Sequence, residues 1–195
     1  SWNVVLIPWP QKSLTTEKPF SSTKDWISYP ISPNLIPGFN ILIALIIDSY
    51  VVSIKAKNLI DATYESMMKA IKILKPGIKL GDIGFEIQSY VEEKGFSVVR
   101  DFCGHGISNT FHEPPNILHY GKKNTGTELK PGMTFTIEPM INAGKLDVKV
   151  LNDGWTAVTK DKSLSAQFEH TLGITEDSYE IFTESVKDYR KPPYK

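Results

Sequence analysis

The sequence predicts an α+β protein in which two helices pack on one face of an antiparallel sheet. Two observations carry that expectation. Apolar residues repeat at helical spacing through 57–74 and 80–94, and short segments of strand character follow, separated by turn signals. A third observation sets its limits, because residues 1–38 show neither period.

Taken in order, the chain opens on a Pro-rich and Trp-rich stretch. Prolines stand at 8, 10, 19, 30, 33 and 37, and Trp2, Trp9 and Trp26 are three of the four tryptophans. This composition reads as an extended arm. Residues 39–54 read as a buried strand or a short apolar helix, which periodicity alone cannot separate. In the first helix Ile60, Tyr64, Met67, Ile71 and Leu74 form one stripe, and Lys75-Pro76-Gly77 stops it. The second carries Ile83, Ile87, Tyr90 and Val91 on one face, with Gly95 placed as a C-terminal cap. Strands are expected at 96–99, 134–141, 155–159 and 166–174. Turn residues at Lys130-Pro131-Gly132, Ala143-Gly144 and Asp153-Gly154 divide them.

Composition narrows the functional classes. The 195 residues suit one core of ordinary size. Lysine plus arginine equals aspartate plus glutamate, 22 of each, so no net field draws the chain to nucleic acid or an anionic membrane. The longest apolar run, 39–47, is too short to span a bilayer. A single cysteine, Cys103, makes no internal disulfide, and a cytoplasmic location is expected.

Four segments could carry chemistry. Cys103-Gly104-His105-Gly106-Ile107 places a histidine between glycines, which permits a tight turn and an approachable imidazole. Phe111-His112-Glu113-Pro114 follows. In Phe135-Thr136-Ile137-Glu138-Pro139, strand alternation puts Glu138 on the face of Thr136, and Pro139 marks an edge or a bulge. In Ser165-Ala166-Gln167-Phe168-Glu169-His170-Thr171, Gln167 and Glu169 share a face, while His170 lies with the apolar residues opposite. Imidazole with carboxylates admits a divalent ion such as Zn, Mn, Fe or Co. Each residue also has a plainer reading: His105 as a loop residue, the glutamates as solvated strand positions, Trp155 as core and His170 as a packed histidine.

Together these segments resemble the type I methionine aminopeptidases. The runs that carry the resemblance are 75–84, 95–107 (GFSVVRDFCGHGI), 111–120, 129–144 (LKPGMTFTIEPMINAG), 153–161 (DGWTAVTKD) and 165–171 (SAQFEHT). The resemblance implies the pita-bread α+β fold, two related halves around a two-metal centre. Its implied activity is removal of the initiator methionine from nascent proteins, met at the ribosome. By motif, His105, Glu138 and Glu169 would be metal ligands and His112 would contact the substrate amide. Phe111 and Trp155 would line the methionine pocket, Cys103 would lie beside it, and Gln167 would hydrogen-bond behind the ligands.

The resemblance covers residues 55–185 only, the C-terminal half of the family's catalytic domain. Residues 1–54 do not match, and 186–195 read as a tail. The family centre also uses an upstream pair of aspartates and an upstream histidine. Here the aspartates before Pro76 are Asp25, Asp48 and Asp61, none spaced as that pair, and no histidine precedes His105. The expectations are therefore an incomplete domain holding at most one ion, either a truncated product or a half-domain that pairs with another copy or another chain to complete the fold. A catalytically inactive module that binds peptides or protein partners is the alternative.

Overall fold

The computed structural model describes residues 54–184, and the expectations made for 1–53 and 185–195 lie outside the described residues. Two helices come first, α1 (Ile54–Lys72) and α2 (Leu80–Glu93). Ten short strands follow: β1 (Ser97–Val98), β2 (Gly104–Gly106), β3 (Glu113–Ile117), β4 (Thr134–Ile137), β5 (Met140–Asn142), β6 (Val148–Val150), β7 (Ala157–Thr159), β8 (Ser165–Gln167), β9 (His170–Ile174) and β10 (Tyr179–Ile181).

Helix α1 buries a broader stripe than the sequence predicts. Leu59, Tyr64, Met67 and Ile71 are buried, as is Leu74 just beyond the helix end, but Ile60 is only partly covered. Ala62, Ser66 and Ala70 recur every fourth residue on the buried side, and such small side chains let a neighbouring element approach closely. The buried hydroxyls stay satisfied within the helix, Thr63 Oγ1 donating to Leu59 O and Ser66 Oγ to Thr63 O. In α2, Ile83, Ile87 and Val91 are fully buried. Asp82 accepts from Lys79 N and caps the start of the helix. Gly95, at φ +79°, ends it as expected. Tyr90 differs from its predicted core place. It is partly exposed, donates its hydroxyl to Glu65, and has the ammonium groups of Lys69 and Lys94 at 4.9 and 4.8 Å from its ring centre.

The strands form two antiparallel sheets and a separate hairpin. One sheet has the order β10-β9-β4-β2-β3, the second β1-β5-β8, and β6 pairs β7. The predicted strand 134–141 is therefore two strands, β4 in the first sheet and β5 in the second, broken at Glu138-Pro139. The predicted strand 166–174 is likewise β8 and β9, broken at Phe168-Glu169. Both pairs are antiparallel: Phe135 opposes Leu172 in the first sheet, and Ile141 opposes Ala166 in the second. Phe135, Ile137, Ile141 and Leu172 join the helical apolar residues in one core.

Two sequence expectations are corrected. His105 is not in a loop: Gly104–Gly106 is strand β2, between β3 and β4. A Cβ on Gly104 would lie 2.2 Å from Thr136 O, and one on Gly106 would lie 2.5 Å from Pro114 O. The glycines serve close backbone approach on both sides rather than a turn. Trp155 is not core. It follows the Asp153 turn of the β6–β7 hairpin and is 91% exposed, because this hairpin pairs only with itself.

Burial sets the expected mutational pattern. Met67→Ala should cost about 2–5 kcal/mol of stability through lost contacts and a cavity. Trp155→Ala should change it by less than about 0.5 kcal/mol. Urea unfolding of both variants checks the pair, and equal losses would contradict this placement of the core.

Candidate metal centre

The two breaks bring the candidate glutamates to corresponding places, each where a strand leaves one sheet for the other. Thr136 ties the first of them to His105. Its hydroxyl accepts from His105 N at 3.0 Å and donates to Glu138 Oε1 at 2.7 Å. The His105 ring closes the arrangement. Nδ1 lies 3.0 Å from Gly106 O, and with the proton there Nε2 is left to face Glu138 Oε1 at 3.7 Å. Gln167 reaches Glu138 from the other sheet, with Nε2 3.3 Å from both the backbone oxygen and Oε2. His112 stacks obliquely on His105, ring centroids 4.3 Å apart, and Phe111 packs edge-on to His112 at 4.6 Å. His112 and Phe111 are exposed.

Electrostatics binds the same residues together. Burial pushes the Glu138 carboxyl up to about 7, the charge of Glu169 adds to the rise, and the Thr136 hydrogen bond and His105 oppose it. Glu169 is also raised by burial, while His105 and His112 draw it down. Burial raises the Cys103 thiol, and Glu138 adds to that. Cys103 thus lies within the field of the site. Trp155 stands exposed on the β6–β7 hairpin. A cavity of about 330 Å³ lies elsewhere, lined by Leu80, Tyr120 and Thr125 but by none of these residues.

As the side chains are placed, no three His, Cys, Asp or Glu among the described residues present donors close enough to hold one ion. The expectation that three donors stand within reach of a single ion is therefore not met among the described residues. The chemistry of the set nevertheless fits a divalent cation. Two carboxylates whose charged forms are disfavoured by burial, and which repel one another, stand at the strand breaks, and Glu138 faces the His105 imidazole. A cation among them offsets both penalties.

The model of metallopeptidase family M24 matches residues 42–176. The chain belongs to that family. A methionine aminopeptidase of Rickettsia prowazekii is 59% identical over 144 residues, 73% of this chain and 56% of the relative. The methionine aminopeptidase of Escherichia coli K12 is 54% identical over 131 residues, 67% and 50% of the two. A crystal structure of the Rickettsia prowazekii enzyme superimposes with a TM-score of 0.67, at 59% identity, covering 69% of this chain and 54% of that one. The chain spans about half the length of the curated relatives it matches. Its fold is a partial pita-bread α+β fold, as the sequence predicts.

Within this M24 chain one residue of the site escaped the sequence reading. His119, 1% exposed, accepts the Glu138 N–H at 3.1 Å. Burial lowers its pKa to about 3, so the ring is neutral and able to accept. The signal available was its place in the run 111–120, but no spacing rule joins it to a residue nineteen positions later. His170 is buried with Nδ1 2.9 Å from Thr183 Oγ1, as its apolar strand face predicts.

Two outcomes follow. Gly104→Ala forces a methyl group against the Thr136 carbonyl and should cost about 1–3 kcal/mol, read as a lowered Tm. Burial holds His170 at about 4, below the 6.5 of a free histidine. Between those values the unfolded chain binds the extra proton, so the contribution of neutral His170 is full above pH 6.5 and is lost toward pH 4. In metal-free buffer, the stability advantage of the parent over His170→Gln should shrink across that window by no more than about 3 kcal/mol. An advantage that grows on acidification would contradict the sign.

Proposed function

We propose that this chain supplies His105, Glu138 and Glu169 to a divalent metal centre for removal of N-terminal methionine from peptides and nascent proteins. One observation carries the reading: a glutamate stands at each of the two strand breaks, Glu138 facing His105 and Glu169 within electrostatic reach of it, in a chain 59% identical to a methionine aminopeptidase over the matched residues. When bound, Zn, Mn, Fe or Co supplies Lewis acidity toward the scissile carbonyl. His112, exposed beside His105, is in position to hydrogen-bond the substrate amide and to stabilise charge that develops there. Phe111 offers an apolar wall to the methionine side chain. Cys103 lies within the field of Glu138 beside the pocket, and Trp155 offers a second apolar surface from its hairpin. Gln167 holds the Glu138 carboxylate. We place the chain in the cytoplasm on the strength of its single unpaired thiol; among the described residues no helix is long and apolar enough to cross a membrane.

A second reading, a peptide-binding module without turnover, is favoured by the lack of a gathered three-donor set among the described residues. Residues 55–185 stand in either reading as the family half-domain, with 1–54 and 186–195 as flanking segments.

The two readings separate on metal stoichiometry. Two like-charged ions need more carboxylate than two glutamates provide. Calorimetric titration with Mn or Co should give at most one weakly held ion per chain. Turnover on a Met-Ala-Ser peptide should be small and should vanish in Glu169→Gln. No heat of binding at all would select the module reading. Two tightly held ions would show that residues 1–53 contribute further ligands.

A further inference from the structure

We propose that His119 is a positioning residue for the metal centre, fixing the Glu138 carboxylate through the hydrogen bond it accepts from Glu138 N–H. The proposal rests on Glu138 being a metal ligand, as argued above.

The need for such a residue comes from the strand break. Up to Ile137, the chain pairs with His170 in the first sheet, and from Met140 it pairs with Gln167 in the second. Glu138 and Pro139 belong to neither ladder, and Pro139 has no N–H to offer. The two backbone polar groups of Glu138 must therefore find other partners. They find side chains from opposite directions. Gln167 Nε2 donates to the carbonyl at 3.3 Å, and His119 Nε2 accepts from the N–H at 3.1 Å. Together they clamp the peptide on both sides of the Glu138 Cα, which sets where the carboxylate points. Thr136 then holds Oε1 on the side of His105.

His119 suits the task because it cannot readily move. It is 1% exposed and follows β3, whose last residue, Ile117, is fully buried. A leucine there fills the space but leaves the Glu138 N–H without an acceptor. The peptide can relieve that loss by rotating toward solvent, and this would swing the carboxylate away from His105. The effect would be felt at the metal more than in the core.

The test uses the full chain with His119→Leu, which removes the acceptor, and His119→Gln, whose side-chain oxygen reaches a similar place. Co(II) affinity is measured by calorimetry, the visible spectrum of bound Co(II) is recorded, and thermal stability is followed alongside. His119→Leu should bind Co(II) about 10-fold or more weakly, with an altered spectrum. His119→Gln should stay near the parent in both, even where the two variants lose similar stability. In the parent chain, a nitrogen–nitrogen scalar coupling across the hydrogen bond should join Glu138 N to His119 Nε2, a measurement that needs no variant to fold. Absence of that coupling overturns the proposal, as does parental Co(II) affinity in a folded His119→Leu. A parent chain that binds no Co(II) overturns the metal reading itself, and this proposal with it.

Discussion

Two runs of chain cross from one antiparallel sheet to the other, and they do so side by side. β4 and β9 are partners in the first sheet, β5 and β8 in the second, so the breaks at Glu138-Pro139 and Phe168-Glu169 fall at the same level of the fold. A backbone that leaves a ladder strands its polar groups, and those groups must be satisfied by side chains. That requirement gathers His119, Gln167 and Thr136 around Glu138. It also separates the candidate carboxylates, Glu138 and Glu169, from ordinary strand positions, whose side chains alternate between core and solvent.

The same geometry explains why the carboxylates are electrostatically costly. At a junction between sheets Glu138 is held within the protein while keeping only part of its solvation, and Glu169 is close enough to raise it further. In a purely structural role such a pair would be disfavoured, since burial of charge needs compensation. His105 provides part of that compensation and a divalent cation would provide more. The core, by contrast, depends little on the site. Ile83, Ile87 and Val91 of α2 and Leu59, Met67 and Ile71 of α1 pack on the apolar faces of the strands, whereas His112 and Phe111 lie exposed at the opposite extreme. The framework can therefore be rigid where the site is open.

Glycine has two distinct uses here. Gly95 adopts a positive φ to end α2, a local need that sequence position reveals. Gly104 and Gly106 do not. They allow β2 to lie against the backbone of β4 and of β3, and so deliver the His105 imidazole to the level of the strand breaks. From the sequence both kinds look alike, which is why β2 reads as a turn until its neighbours are seen.

The sequence by itself determined the two helices, the end of each, the α+β class and the family, because helical periodicity and contiguous motifs are local properties of the chain. It also placed His170 against apolar neighbours and Glu138 with Thr136, since alternation along a strand is local too. Only the tertiary structure decided that the long predicted strands divide between two sheets, that His105 lies in a strand, and that Trp155 stands exposed. Those outcomes depend on which strands become neighbours, and pairing between distant segments has no signature in either strand alone. His119 is the sharpest case. Its role at Glu138 exists only because the break leaves an amide without a ladder partner beside a buried imidazole, a coincidence of fold that no spacing of residues encodes.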